Sequence, residues 1–201
     1  MGSLLHSAWD AKELKREYNL QIAIETGTAY GEGTKFLAEI FEEVFTIEID
    51  DGFFEDNSER LSEFSNVHAH LGKTTESLPP ILEANRDTPA FFWLDAHLPR
   101  RGKHRYVTGC FVEEDHDEEI NFPLEDELRV IVKNKNISKD VLLIDDLRIY
   151  ENGPFEVGNW SERYEYERAM AGCGFVYELL EQTHSIEKSF KDEGYLLAKP
   201  L

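Results

Sequence analysis

Positive charge is scarce in this chain. Lys and Arg number 21 against 41 Asp and Glu, a formal net charge of −20. That balance argues against wrapping a nucleic-acid backbone, which requires basic patches that release counterions. Solvated acidic faces that aid solubility account for most of it. Cysteine is nearly absent: Cys110 and Cys173 are too few for a disulfide framework, and no Cys/His spacing of a zinc site occurs. No apolar run is long enough to span a membrane. The N-terminus, Met1-Gly2-Ser3-Leu4-Leu5-His6, has no basic segment leading into a long apolar one. These absences predict a cytoplasmic protein without a membrane or nucleic-acid partner. The 201 residues, 41% of them hydrophobic, fit a single domain, 1–201, with a substantial core.

Two phosphate-binding signatures are missing as well. No glycine-rich loop ends in Gly-Lys-Ser/Thr, and no Gly-x-Gly-x-x-Gly occurs. What stands near the N-terminus instead is Ile22-Ala23-Ile24-Glu25-Thr26-Gly27-Thr28-Ala29-Tyr30-Gly31-Glu32-Gly33-Thr34. The apolar start reads as a buried strand, and Lys35 to Phe41 reads as a helix. Strand, glycine-rich turn and helix make the nucleotide-binding corner of an open α/β sheet. A carboxylate at Glu25 would repel a pyrophosphate and suit an ammonium or sulfonium group. S-adenosylmethionine carries both of these and no phosphate. The alternative is a glycine-rich turn with no cofactor.

Further along, strands are expected at Glu43–Asp50, Asn66–Leu71, Pro89–Asp95 and Val141–Asp146. Helices are expected at 8–18, Gly52–Phe64, Glu76–Ala84 (shortened or kinked by Pro79-Pro80), Leu124–Lys133 and Ser161–Ala171. Phe175–Leu180 and Tyr195–Ala198 read as two strands with no helix between them, hence an antiparallel pair. The fold class is therefore α/β: a Rossmann-like, seven-stranded mixed sheet, mostly parallel with an antiparallel C-terminal strand, and helices on both faces. One irregular stretch, 98–121, is long for a loop and suits an active-site lid.

In such a sheet, ligands bind beyond the carboxyl ends of the strands, and acids gather there: Glu25, Glu48, Asp95, Asp145 and Asp146. Glu48, at the tip of the second strand, can accept hydrogen bonds from both ribose hydroxyls; a helix cap or surface acid is the alternative. Asp50 and Asp51 read as caps of the next helix. Asp95, Asp145 and Asp146, on neighbouring strand ends, would need a cation or a proton between them. An all-oxygen set selects Mg²⁺, or Mn²⁺ or Ca²⁺. Alternatively, one Asp caps a helix and another pairs with Arg148. His97 is a candidate base, a metal ligand, or an inert loop residue. His68 and His70 share a face of the third strand as packing or surface residues.

Together these motifs resemble class I S-adenosylmethionine-dependent methyltransferases, from about Gln21 to Pro200. The resemblance rests on Glu25-Thr26-Gly27-Thr28-Ala29-Tyr30-Gly31, Ile47-Glu48-Ile49-Asp50, Gly72-Lys73-Thr74-Thr75, Trp93-Leu94-Asp95-Ala96-His97 and Leu143-Ile144-Asp145-Asp146. It is nearest the small-molecule, metal-dependent O-methyltransferases of the catechol and macrocin types. It implies that Glu25, Gly27 and Gly31 line the methionine part of the cofactor, that Glu48 holds the ribose, and that Thr74 and Thr75 lie near the adenine. Thr26, Thr28, Thr34, Ile49 and Asp95 complete the cofactor-binding set. Asp95, Asp145 and Asp146 would hold the metal, with His97 and Asp95 as catalytic groups. The catechol type has a lysine three residues after its first metal aspartate, where this chain has Leu98. The expected reaction is O-methylation of a small-molecule acceptor. A metal-dependent enzyme of another kind on the same fold and a non-catalytic nucleoside-binding protein are the rivals. The oligomeric state is open, a homodimer included.

Overall fold

A computed structural model describes residues 9–97 and 118–201. Its elements are α1 (Ala11–Tyr18), β1 (Ile22–Thr26), α2 (Glu32–Ala38), β2 (Glu43–Glu48), α3 (Asp51–Leu61), β3 (Val67–Leu71), α4 (Thr74–Ala84), β4 (Ala90–Leu94), α5 (Glu118–Asn121), α6 (Leu124–Asn134), β5 (Val141–Ile144), α7 (Glu167–Ala171), α8 (Gly174–Leu180), β6 (His184–Ser189) and β7 (Tyr195–Pro200). The sheet has seven strands in the order β3-β2-β1-β4-β5-β7-β6. All neighbours pair parallel except β7, which runs antiparallel to both β5 and β6. The order reverses between β1 and β4, which places a crevice at their carboxyl ends.

Both sheet faces are apolar, as the unbroken runs of β1, β4 and β5 require. On one face Ile22, Ile24, Phe92, Leu142 and Ile144 pack with Leu78 and Leu82 of α4, Leu128 and Ile131 of α6, and Val176 and Leu180 of α8. On the other, Ala23, Val44, Phe91, Trp93, Leu143 and Leu197 pack with Leu14 of α1 and Leu37 of α2. Asp10 caps α1 by accepting the amides of Lys12 and Glu13, and Asp50 caps α3 by accepting that of Phe53. Helix α4 begins at Thr74 and runs unbroken through Pro79 and Pro80 to Ala84. It forgoes two backbone hydrogen bonds and is held by burying Leu78, Ile81 and Leu82. Among the described residues no helix is long and apolar enough to cross a membrane.

Two expectations need correction, and a third lies largely outside the described residues. Phe175–Leu180 is not a strand but helix α8. Its aromatic and β-branched content suggests a strand, yet its fully buried residues are Val176 and Leu180, spaced one helical turn apart and packed on the α6 side of the sheet. The missing strand is β6, whose polar sequence His184-Ser185-Ile186-Glu187-Lys188-Ser189 hides it: it is an edge strand, mostly solvated. Ser161–Ala171 is not one helix but a 3-10 turn, Ser161–Glu165, followed by α7. The expected lid 98–121 falls outside the described residues from 98 to 117, and its last four residues form α5. Glu118 ties α5 to the start of α7 by accepting the amides of Glu167 (3.0 Å) and Arg168 (2.7 Å).

Candidate active site

The glycine-rich loop lies across the ends of β1, β2 and β4. Gly27 has φ +86°, and a Cβ there would fall 2.7 Å from the carbonyl oxygen of Asp95, so the close approach of this loop to β4 requires glycine. Gly31 opens α2 with φ +72°. Between them Ala29 also has positive φ, 44°, and its amide donates to Glu48 Oε2 at 2.8 Å. Glu48 Oε1 accepts the amide of Asp50 at 2.9 Å. Ala29 and Asp50 thus supply one donor to each Glu48 oxygen, with the Ile49 amide also acting on the group, and a carboxylate's roughly four lone-pair sites keep room for a further donor. Burial raises its pKa, against the pull of these amides. Ile49 follows half-buried. Thr28 is buried, its hydroxyl 2.6 Å from that of Thr46.

Glu25 sits elsewhere than its place in the motif suggests. It is turned inward beneath α2, 1% exposed, accepting the hydroxyls of Thr34 (2.5 Å) and Thr46 (2.7 Å). Burial pushes its carboxyl up to about 8, so at neutral pH it is largely protonated and offers no anion to a sulfonium. Its Oε1 occupies the space a side chain at Gly33 would take. Glu25 and Thr34 therefore brace the loop from below. Thr75 is half-exposed at the start of α4, while Thr74 is buried, its hydroxyl turned to Glu127 of α6.

The acids at the ends of β4 and β5 do converge. Asp95, His97 and Asp146 each bring one ligand atom to within 4.8 Å of the others. His97 Nδ1 lies 3.5 Å from Asp95 Oδ1, and its Nε2 is ion-paired with Asp146 Oδ2. Burial opposes charge on this imidazole, but Asp146 foremost, then Asp95, outweigh it and raise its pKa to about 10. His97 is therefore an imidazolium at neutral pH. Asp146 is held ionised by the same pair despite its burial. Asp145 and Asp95 go the other way: burial first, then repulsion from Asp95 and Asp146 on the former and from Asp146 and Glu193 on the latter, favours their protonated forms. Asp145 Oδ1 accepts the amide of Asp146 at 2.7 Å, which fixes Asp146 in the left-handed region at φ 53°. The group that forms is thus the ionised Asp146, the His97 imidazolium and the Asp95 carboxyl, and the Asp145 side chain expected in it is engaged with the backbone instead.

Three further residues complete the centre. Arg148 reaches Asp146 Oδ1 at 3.6 Å and is ion-paired with Glu193, from the turn between β6 and β7. Glu127 of α6 is 1% exposed and accepts the Thr26 hydroxyl at 3.3 Å. A signal for it existed: Glu127 follows Leu124 by three residues and precedes Ile131 by four, placing it on the buried face of α6. Nothing in the sequence around Glu193 distinguishes it from other surface acids.

No protein-family model and no curated protein matches the chain. Solved structures do. The O-methyltransferase TomG from Streptomyces achromogenes, solved with SAM, matches with a TM-score of 0.60 at 17% identity over 94% of this chain and 77% of its own. An O-methyltransferase from Bacillus cereus, solved with SAH, gives 0.57 at 16% over 94% and 78%. An rRNA methylase from Streptococcus thermophilus gives 0.54 at 15% over 94% of both chains. The fold is the Rossmann-like one of these methyltransferases.

Proposed function

We propose that the chain is an S-adenosylmethionine-dependent methyltransferase acting on an oxygen of a small molecule with the help of a divalent cation. The observation that carries this reading is the contact between the glycine loop and Glu48, Ala29 N to Glu48 Oε2. It leaves a buried carboxylate with free acceptor capacity at the tip of β2, which fits a ribose diol. TomG and the Bacillus cereus enzyme, with the same fold, were solved with SAM and SAH. When bound, S-adenosylmethionine supplies a methyl group on a sulfonium.

Asp95, His97 and Asp146 fit a cation. Two acids and one imidazole converge at the ends of β4 and β5, and Asp146 Oδ1 is buried without a hydrogen-bond partner. A divalent ion there would lower the pKa of an acceptor hydroxyl. The mixed N/O donor set favours Mn²⁺ over Mg²⁺ or Ca²⁺. With the cation held by Asp95 and Asp146 alone, His97 would accept the hydroxyl proton once it has given up the one it shares with Asp146; with His97 as a third ligand, the cation alone would activate the hydroxyl. Asp95 orients His97 and forms the wall between cofactor corner and acceptor. The −20 net charge favours a small acceptor over RNA. The setting we propose is the cytoplasm, with no membrane partner.

The deciding experiment is a calorimetric titration of the protein with S-adenosylhomocysteine. Binding that is weakened in Glu48→Ala supports the reading. Absence of binding to the folded wild type removes it.

A further inference from the structure

Below His97, on the side of the sheet covered by α6, lies a small recess. Its polar walls are His97, Glu127 and Asp145; Leu94, Leu124 and Tyr150 supply much of the rest. It has room for about one water-sized group. Glu127 and Asp145 are 1% and 3% exposed, and among the described residues nothing donates to Glu127 Oε1 or Asp145 Oδ2. A buried carboxylate oxygen without a donor is costly, so two of them lining one recess call for a ligand rich in N–H or O–H.

Charge narrows the choice. Among the described residues that line the recess the cation is His97, and it is engaged by Asp146 and Asp95. Arg148 is spent on Asp146 and Glu193. Neither Glu127 nor Asp145 belongs to the three-residue group that could hold a metal. The leucine walls disfavour a hydrated divalent ion, which keeps several waters, and suit the methylene that carries an ammonium. An ammonium has three donors and no acceptor, and it would take the place of the protons that burial favours on these two carboxyls in its absence.

We propose that this recess seats the ammonium group of an amine-bearing acceptor, with Glu127 and Asp145 as specificity residues. The assignment to an acceptor rests on the methyltransferase reading; the site itself does not. Seated there, the amine would hold the acceptor beside His97, which would select amino alcohols over neutral alcohols.

The test uses the full chain and two probe salts at equal ionic strength, with chelator present. Methylammonium chloride carries an N–H-bearing head of the right size; tetramethylammonium chloride is larger and has no N–H. Methylammonium should raise the Tm of the wild type by roughly 2 °C or more beyond tetramethylammonium. Glu127→Gln should abolish that difference while keeping S-adenosylhomocysteine binding and any Mn²⁺-induced rise in Tm. Equal effects of the two salts on the wild type overturn the proposal, and this comparison decides alone if Glu127→Gln does not fold. A difference that survives in Glu127→Gln overturns it too. Loss of a Mn²⁺ effect in Glu127→Gln would make the recess part of a metal centre and overturn it likewise. Nucleoside binding without a methylammonium effect defeats this inference and leaves the transferase standing. A methylammonium effect without nucleoside binding defeats the transferase, and the acceptor assignment with it.

Discussion

The amide of Ala29 donates to Glu48 Oε2 at 2.8 Å, so the glycine-rich loop and the tip of β2 are joined before any ligand arrives. A ligand that bonds both Glu48 oxygens meets a preformed site and pays little to organise it. Glu48→Ala should weaken S-adenosylhomocysteine binding by roughly 10- to 150-fold, the worth of a charge-assisted hydrogen bond at about 1.5–3 kcal/mol. Calorimetry on the folded variant reads this directly, and an unchanged affinity would remove Glu48 from the site.

Divalent cations should stabilise the protein, because they bind the folded arrangement of Asp95, His97 and Asp146 preferentially. Asp146→Asn should cost more of that stabilisation than Asp145→Asn, since Asp145 is engaged with the amide of Asp146. With His97 protonated up to about pH 10, a cation must displace a proton, so metal affinity should rise with pH. Titrations in buffers of different ionisation enthalpy at pH 7 should report at least roughly one proton released per ion. No release, together with no metal-dependent rise in Tm, would reduce the three residues to an ion-pair network.

His97→Gln should lower kcat by roughly 10²–10⁴ while leaving cofactor affinity intact. Without added metal, a rate that depends on neutral His97 should climb with pH toward about 10, where the imidazole loses its proton. Added Mn²⁺ should move this rising limb to lower pH by taking up the carboxylate charge. Near-full turnover of His97→Gln across that range would make His97 structural.

Glu25 predicts a pH effect on stability far from the chemistry. Its folded pKa, about 8, lies above its unfolded value of 4.5. The folded state therefore holds a proton that the unfolded state has lost, and stability falls as pH rises between these values. This contribution is complete below about pH 4.5 and gone above about pH 8. Glu25→Gln keeps the acceptor for Thr34 and Thr46 and cannot ionise. Its Tm should exceed that of the wild type at pH 8 by roughly 10 °C and approach it near pH 5. Parallel melting profiles of the two proteins would show that Glu25 does not titrate in this window.

Much of the parallel framework is legible in the chain because its signals are local. The unbroken apolar runs of β4 and β5, and the apolar start of β1, read as strands buried on both faces, and Asp10 and Asp50 cap helices within three residues of themselves. Local reading fails where a partner decides. Phe175–Leu180 looks like a strand until its neighbours are known, and the polar strand β6 owes its existence to pairing with β7.

The candidate site divides along the same line. Acids at the strand ends follow from the sequence, because strand direction alone carries them to one edge: Glu48, Asp95, Asp145 and Asp146 are all there. Which of them faces outward does not follow. Alternation about β1 turns Glu25 toward α2 and Thr26 toward α6, and only packing shows that α2 closes over the former. Glu127 and Glu193 come from a helix and a hairpin distant in sequence; spacing places Glu127 on the buried face of α6, but neither its contact to Thr26 nor that of Glu193 to Arg148 can be read from the residues around them. The sequence by itself determined the α/β order and the acidic edge. The tertiary structure alone decided which carboxyls are braces, which are paired with His97, and which are left without a donor, because burial and charge neighbours set those roles and neither is a local property.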